Sequence, residues 1–483
     1  MGARILKIGG EVAGFPERLE ALRRLVEGAE GDSAYIGIVT SAPARNGLRA
    51  TPLLLMYVNL VLLRSPNAGI KNKDFDGINK EHGPFTFTRD TLWTLIENLY
   101  SAAFRGLLDP ERVLLVLSRQ RAQIDAKLEA SLPGSEAFAV GSGECMMTEL
   151  LHRWLGYPIL SAYETIEVGA DGIPDWRSCQ ANVRNVFARL KRGIPFVMAG
   201  FVGVDRVGSV PDAQPLHRLL PFGGTDVTAA IVACALDQVG VLEVRKAVQG
   251  VFTGDPELLR RYGIQPRTIG TMWHRVLREA GAQPLHADAI SAVHRLKPGL
   301  KIHIASCDEL EAPGTWIVPK GDAEGSVVTL MNGVTGLTAV NLVKDGFDVA
   351  AGGLELICAT VAAYGLSISD VATGRDAVMV SVHGEDLLED SSRRLLFERA
   401  IRKRFAPEKF GIEGGLSIIL VTGERLSAGN VDILGRVFGA LGRAGIASVH
   451  HMDVGGSRVG FVVGVATQDY ERAYVAIHQE LFG

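Results

Sequence analysis

Residues 219–236 read Leu-Leu-Pro-Phe-Gly-Gly-Thr-Asp-Val-Thr-Ala-Ala-Ile-Val-Ala-Cys-Ala-Leu, two glycines, a hydroxyl and a carboxylate followed at once by small apolar residues over a helical length. That order describes a loop presenting backbone N–H groups at a helix N-terminus, which is an anion site by construction. Thr225 or Asp226 would cap the helix, and Gly223 and Gly224 let the backbone approach a ligand closely. An ordinary capped helix behind a turn accounts for the same residues. The anion site is favoured by company, because other glycine-bearing strand ends in the chain read the same way.

The first of these is at the start. Residues 5–8 form a short apolar strand, Gly9-Gly10 a tight turn, and residues 16–27 an amphipathic helix with its proline in the first turn. Lys7, two residues before the diglycine, can set an ammonium beside exposed amides where phosphate would fit; a surface lysine on a strand that simply ends is the alternative. A second strand over 34–40 runs into the hydroxyl-rich, basic loop 41–51, and ligands of doubly wound sheets bind at such strand ends. Residues 139–154 read as a glycine-rich turn opening into a helix with Glu144 in its first turn, able to hold a substrate ammonium or merely to complement the helix dipole. Strand 195–199 leads to Gly200–Gly203. Strand 241–244 leads to the turn 249–256, whose Phe252 can stack on a nucleobase or pack in the core. Strand and helix alternate throughout, the grammar of a mostly parallel α/β sheet covered on both faces.

With 483 residues, 47% hydrophobic and 22% charged, the chain has room for two or three folded domains and little disorder. A net charge of -4 argues against nucleic acid or a membrane surface as partner. No apolar run is long enough to span a bilayer. Five scattered cysteines without a CxxC pair suit reduced thiols, and the opening residues enter a strand directly, so no leader is expected and the cytoplasm is the expected compartment. No metal site is expected, since His450 and His451 lack a third ligand at suitable spacing. Composition turns to Pro, Gly, Asp and Glu over 307–324, which sets the expected domains at 1–318, 325–405 and 412–483. Beyond that boundary two βαββα-like units follow in tandem, the first opening on a hairpin at Asn332-Gly333, a pattern of paired ferredoxin-like domains. Exposed sheet edges in such units predict a homodimer or higher homo-oligomer.

The ordered set of Lys7-Ile-Gly-Gly10, Ser41-Ala42, Gly143-Glu144, Gly200–Gly203, Phe222-Gly-Gly-Thr-Asp226, the turn 250–256, residues 281–286 and the terminal Ile477-His-Gln-Glu-Leu-Phe482 resembles the aspartokinases of the amino-acid kinase superfamily, nearly end to end. The resemblance implies an amino-acid kinase-like sandwich followed by two ACT domains, and ATP- and Mg²⁺-dependent phosphorylation of an amino acid's side-chain carboxylate under amino-acid feedback. It implies catalytic roles for Lys7, Gly10 and Asp226. The substrate would meet Ser41, Thr51, Arg45, Glu144, Phe222 and Thr225. The nucleotide would meet Gly9, Gly223, Gly224, Lys246, Gly250, Phe252, Asp255, Pro256 and Gln283. An effector turn is expected at 346–353.

The departures all touch charge. Glu11 and Val12 follow the first glycines where the family has hydroxyls, Phe222 stands for an arginine that pairs with a substrate carboxylate, and Lys246-Ala247 for a Thr-Asp pair. Glu257 replaces an arginine and Gln283 a phosphate-facing lysine. Three readings therefore stand: an aspartate kinase whose missing cations come from Lys246 or Arg245 and from Arg45 or Arg49; the same chemistry on another acceptor; or a silent amino-acid-sensing homologue.

Overall fold

The computed structural model describes residues 2–64, 87–206, 215–221, 223–281, 285–319, 327–347, 352–383, 390–426, 430–454 and 459–483. Two compact units result, the first from residues 1–251, 270–274 and 283–320, the second from residues 252–269, 275–282 and 321–483. Thus the second unit begins inside the stretch expected to be wholly catalytic.

The first unit is built on a seven-stranded sheet in the order Phe196–Ala199, Tyr35–Thr40, Ala3–Ile8, Val239–Lys246, Lys301–Ser306, Thr315–Val318, Thr271–Trp273. The first five are mutually parallel. Ala3–Ile8 is a central strand, with Lys7 opposite Val39 on one side and Val244 on the other. Such strands are covered on both faces, which is why Ile5, Leu6, Val39, Leu242 and Val244 are fully buried. The helices Ala50–Val61, Arg89–Ala103, Pro110–Glu129 and Ser135–Leu155 share one core built on Tyr57, Trp93, Tyr100 and Phe104.

Several expectations change here. Residues 10–13 form a short helix rather than a tight turn, with Val12 and Ala13 N–H both donating to the Gly9 carbonyl. Thr315–Val318 is a strand inside the presumed boundary; its Thr315 and Ile317 point into the core, too short a signal to show through flanking polar residues. Thr271–Trp273 is a short edge strand that runs directly into the helix His274–Glu279. A hairpin of Val202–Asp205 with Leu216–Leu219 was not anticipated.

The second unit carries a six-stranded antiparallel sheet in the order Ser367–Thr373, Ala377–His383, Leu330–Val343, Lys409–Thr422, Gly460–Ala466, His451–Asp453. Two ferredoxin-like ACT-type halves share it. Each long central strand pairs with the other and also with its own half's hairpin. Helices Gly353–Ala363 and Ser391–Phe405 cover the first half around Phe397 and Ile401. Val431–Arg443 and Tyr470–Phe482 cover the second around Val437, Phe461 and Tyr474.

Asn332-Gly333 is not a hairpin. It lies within one fourteen-residue strand, and Gly333 is there because a Cβ would stand 1.9 Å from the Tyr470 hydroxyl. The sheet also brings its two edge strands together, since His451 Nε2 bonds the Asp370 carboxylate. Those edges are therefore less open than the sequence suggested.

Candidate active site

Three parallel strands of the first unit end side by side at Ile8, Thr40 and Lys246, and the helix Gly224–Ala235 starts against them. Between these ends lies a cavity of about 410 Å³. A cleft outside the carboxyl ends of parallel strands is where such sheets bind ligands.

The Gly224–Ala235 helix reaches the cavity through Gly223, which sits at φ 88°, a left-handed conformation that favours glycine. Neither Thr225 nor Asp226 caps the helix, contrary to expectation; the N-cap is Gly223 and no side chain bonds there. Both side chains turn to other partners. Thr225 Oγ1 accepts from Ser41 Oγ at 3.0 Å, tying the helix start to the loop after the second strand. Asp226 Oδ1 lies 2.7 Å from Lys7 Nζ, with both side chains less than a tenth exposed. Asp226 Oδ2 accepts the His286 N–H at 3.0 Å. Burial works to raise the Asp226 pKa, but the Lys7 ammonium and the amide outweigh it and hold the carboxyl below its usual range.

Gly9 and Gly10 line the cavity beside Lys7, whose Nζ would be only 3.7 Å from a Cβ at Gly9. Lys246 lines it too, its pKa lowered first by burial and then by the neighbouring Lys7 charge, with Asp226 and Glu11 pulling the other way. Two ammonium groups with a fixed carboxylate beside them, at a helix N-terminus, form a receptor for a polyanion.

The opposite wall is different in kind. Glu144 lies ten residues into the Ser135–Leu155 helix, not in a first turn. Gly141 and Gly143 are interior positions where Val202, Leu219, Ala42 and Leu54 press on the helix, and small residues admit them. Glu144 Oε1 accepts the Ala42 N–H at 3.2 Å, while buried Oε2 has no partner. Burial pushes its pKa up to about 8. A buried, half-satisfied carboxyl facing a cavity is a site for a cation or hydrogen-bond donor.

Ser41 and Thr51 also line the cavity. Arg45 does not: it stacks on Phe15, 4.6 Å from the ring centroid, and donates to the Gly14 carbonyl. Arg49 takes its place in the wall. Arg245, weighed as a phosphate partner, is buried instead against Glu243 at 2.6 Å and the Ser306 carbonyl. Gly250 lies in the turn beyond the wall, and Phe252, Asp255 and Pro256 belong to the second unit, where Asp255 caps the helix Pro256–Arg261. Phe222 and Gln283 lie outside the described residues.

The sequence reading missed Phe201. It lines the cavity at φ 68°, and its N–H donates to Thr228 Oγ1. A non-glycine residue held in that region marks a corner fixed by its surroundings, a signal only coordinates carry.

The profile of the amino acid kinase family matches residues 3–306, and the chain belongs to that family. Over its length it is 23% identical to the bifunctional aspartokinase/homoserine dehydrogenase of Haemophilus influenzae, covering 99% of this chain and 56% of the relative, so it spans about half that relative's length. Its fold is that of the Clostridium acetobutylicum aspartate kinase, with a TM-score of 0.76 at 21% identity and full coverage of both chains. Against Escherichia coli aspartokinase III in complex with aspartate and ADP the TM-score is 0.74 at 18% identity, again with both chains covered. Among the described residues no helix is long and apolar enough to cross a membrane.

Proposed function

We propose that the chain is an aspartate kinase-type phosphotransferase, moving the γ-phosphoryl group of ATP to the side-chain carboxylate of aspartate or an aspartate-like amino acid. One observation carries this: Lys7 and the Gly223-Gly224 bend, far apart in sequence, line one cavity whose other wall holds Glu144. In the reaction a carboxylate oxygen attacks the γ-phosphorus, the bond to the β-phosphate oxygen breaks, and ADP leaves. Such a transfer needs positioning and positive charge more than covalent help. Lys7, held by Asp226, and Lys246 supply the charge, and the glycine corners supply amides. Glu144 receives the substrate ammonium, and Arg49 replaces Arg45 as the candidate for its α-carboxylate.

Among the described residues no three His, Cys, Asp or Glu side chains gather to hold a metal by themselves. Mg²⁺ at kinase sites is carried largely by nucleotide phosphates with one or two carboxylates, and Glu11, on the cavity wall, suits that part. The ion would offset phosphate charge there. The second unit is read as an amino-acid sensor, and the complex of Escherichia coli aspartokinase III with lysine and aspartate makes lysine the first effector to try. Of the expected effector turn, residues 348–351 lie outside the described residues. A homodimer or higher homo-oligomer is the proposed assembly, tested by light scattering.

Incubation with Mg·ATP, aspartate and hydroxylamine should yield the hydroxamate of the acyl phosphate. No hydroxamate from aspartate but product from another carboxylate would move the reading to a different acceptor. None from any amino acid, with no binding of Mg·ATP, would leave only a sensor.

A further inference from the structure

The strand Val239–Lys246 ends on two basic residues that the pleat sends to opposite faces. Arg245 is buried against Glu243 and the Ser306 carbonyl, both at 2.6 Å. Lys246 lines the cavity, and its carbonyl accepts the Cys307 N–H at 2.8 Å, which fixes its backbone in the sheet. Its ammonium meets a pairing that is already complete. Asp226 gives one oxygen to Lys7 at 2.7 Å and the other to the His286 N–H at 3.0 Å. Among the described residues none forms a hydrogen bond or ion pair with Lys246 Nζ.

Burial disfavours the charged form of Lys246 most and the Lys7 ammonium adds to that, while Asp226 and Glu11 pull the other way. Lys246 therefore gives up its proton more readily than a free lysine. Arg49 and Glu144 also line the cavity, Glu144 with its carboxyl pushed up to about 8. A bound polyanion reverses the balance at Lys246, because it brings negative charge to an ammonium that has no fixed partner among the described residues. By linkage, a ligand that binds the protonated form more tightly draws a proton onto it.

We propose that Lys246 is a proton-coupled phosphate anchor, which takes a proton from solution as the phosphates of a nucleoside triphosphate enter the cavity and returns it as they leave. The inference rests on the kinase reading only in naming the anion. Calorimetry of Mg·ATP binding at pH 9, in Tris and in a buffer of small ionisation enthalpy, reads the proton directly. In the wild type the heat is expected to differ between the buffers with the sign of uptake, and affinity to fall as pH rises from 7 to 9.5. Lys246→Arg, whose charge does not titrate in this range, should bind within about threefold of wild type at pH 7 and lose both the buffer difference and the alkaline decline. Lys246→Met should weaken binding at pH 7 about tenfold or more and lose the buffer difference too. Glu144 remains in both variants, so uptake that persists in Lys246→Arg assigns the proton elsewhere and overturns the inference. Wild-type binding with the same heat in both buffers overturns it as well, and neither result touches the kinase reading. If Mg·ATP does not bind but inorganic tripolyphosphate does, with uptake lost in Lys246→Arg, the kinase reading falls and the anchor stands. Binding of neither anion removes both.

Discussion

At the scale of single residues, two carboxyl groups in one cavity are held in opposite states. Asp226 is kept charged by Lys7, whereas Glu144, without a cation, is pushed up to about 8 and is mostly neutral at pH 7. In the folded chain Glu144 keeps a proton that the unfolded chain releases above about pH 4.5, so its contribution to stability is present below that pH and declines as pH rises to 8. The span corresponds to about 5 kcal/mol. Glu144→Gln should remove the decline: chemical unfolding at pH 8.5 should show a variant more stable than wild type by a few kcal/mol, the gap closing toward pH 5. The same variant should raise KM for an ammonium-bearing acceptor at least about tenfold, because a neutral amide cannot pair with the ammonium. In the wild type that KM should fall as pH rises toward 8, as Glu144 ionises. Lys7→Met should abolish hydroxamate formation and also cost about 3–5 kcal/mol, since Asp226 is left as a buried, unpaired charge. Adding Asp226→Asn should restore most of the stability and none of the activity, which separates the two roles.

Among elements, legibility followed length and local chemistry. The helix Pro16–Glu27 was readable to the residue, from its proline and apolar spacing. The lysine–diglycine and diglycine–aspartate corners were readable as anion sites because glycine and charge are local signals. Partners were not. That Arg45 would stack on Phe15 while Arg49 entered the wall depends on a two-residue hairpin, Ala44–Arg45 with Leu48–Arg49, that places alternate side chains on opposite faces. Asn332-Gly333 misled for the same reason. The dipeptide that closes hairpins also suits a strand where a ring presses on the backbone, and only the Tyr470 hydroxyl above Gly333 tells them apart. Gly333→Ala should therefore behave as overpacking rather than as a turn defect. A loss of about 2–4 kcal/mol in urea unfolding is expected, and the double variant with Tyr470→Ala should lose less than the two single changes added together.

Across the whole molecule, the polypeptide passes between its two units at residues 251, 269, 274, 282 and 320 rather than once at a linker. A linear reading cannot show this, because the inserted pieces look like continuations of the strand–helix alternation around them. The consequence concerns independence. Leu258 and Leu259 are buried in the second unit's core beside Tyr474 and Ile477, and the Thr253, Asp255 and Ala280 backbones are bonded to Met331, Tyr474 and Asn332. A chain ended at residue 318 would keep those leucines and lose all of their later partners, exposing apolar surface and unpaired backbone groups together. It should bind a hydrophobic dye, unfold over a broad transition and fail to take up Mg·ATP, although every residue of the cavity wall is still present. A truncated chain with a sharp thermal transition and wild-type nucleotide affinity would show that the inserted segments depend on the second unit far less than their burial implies.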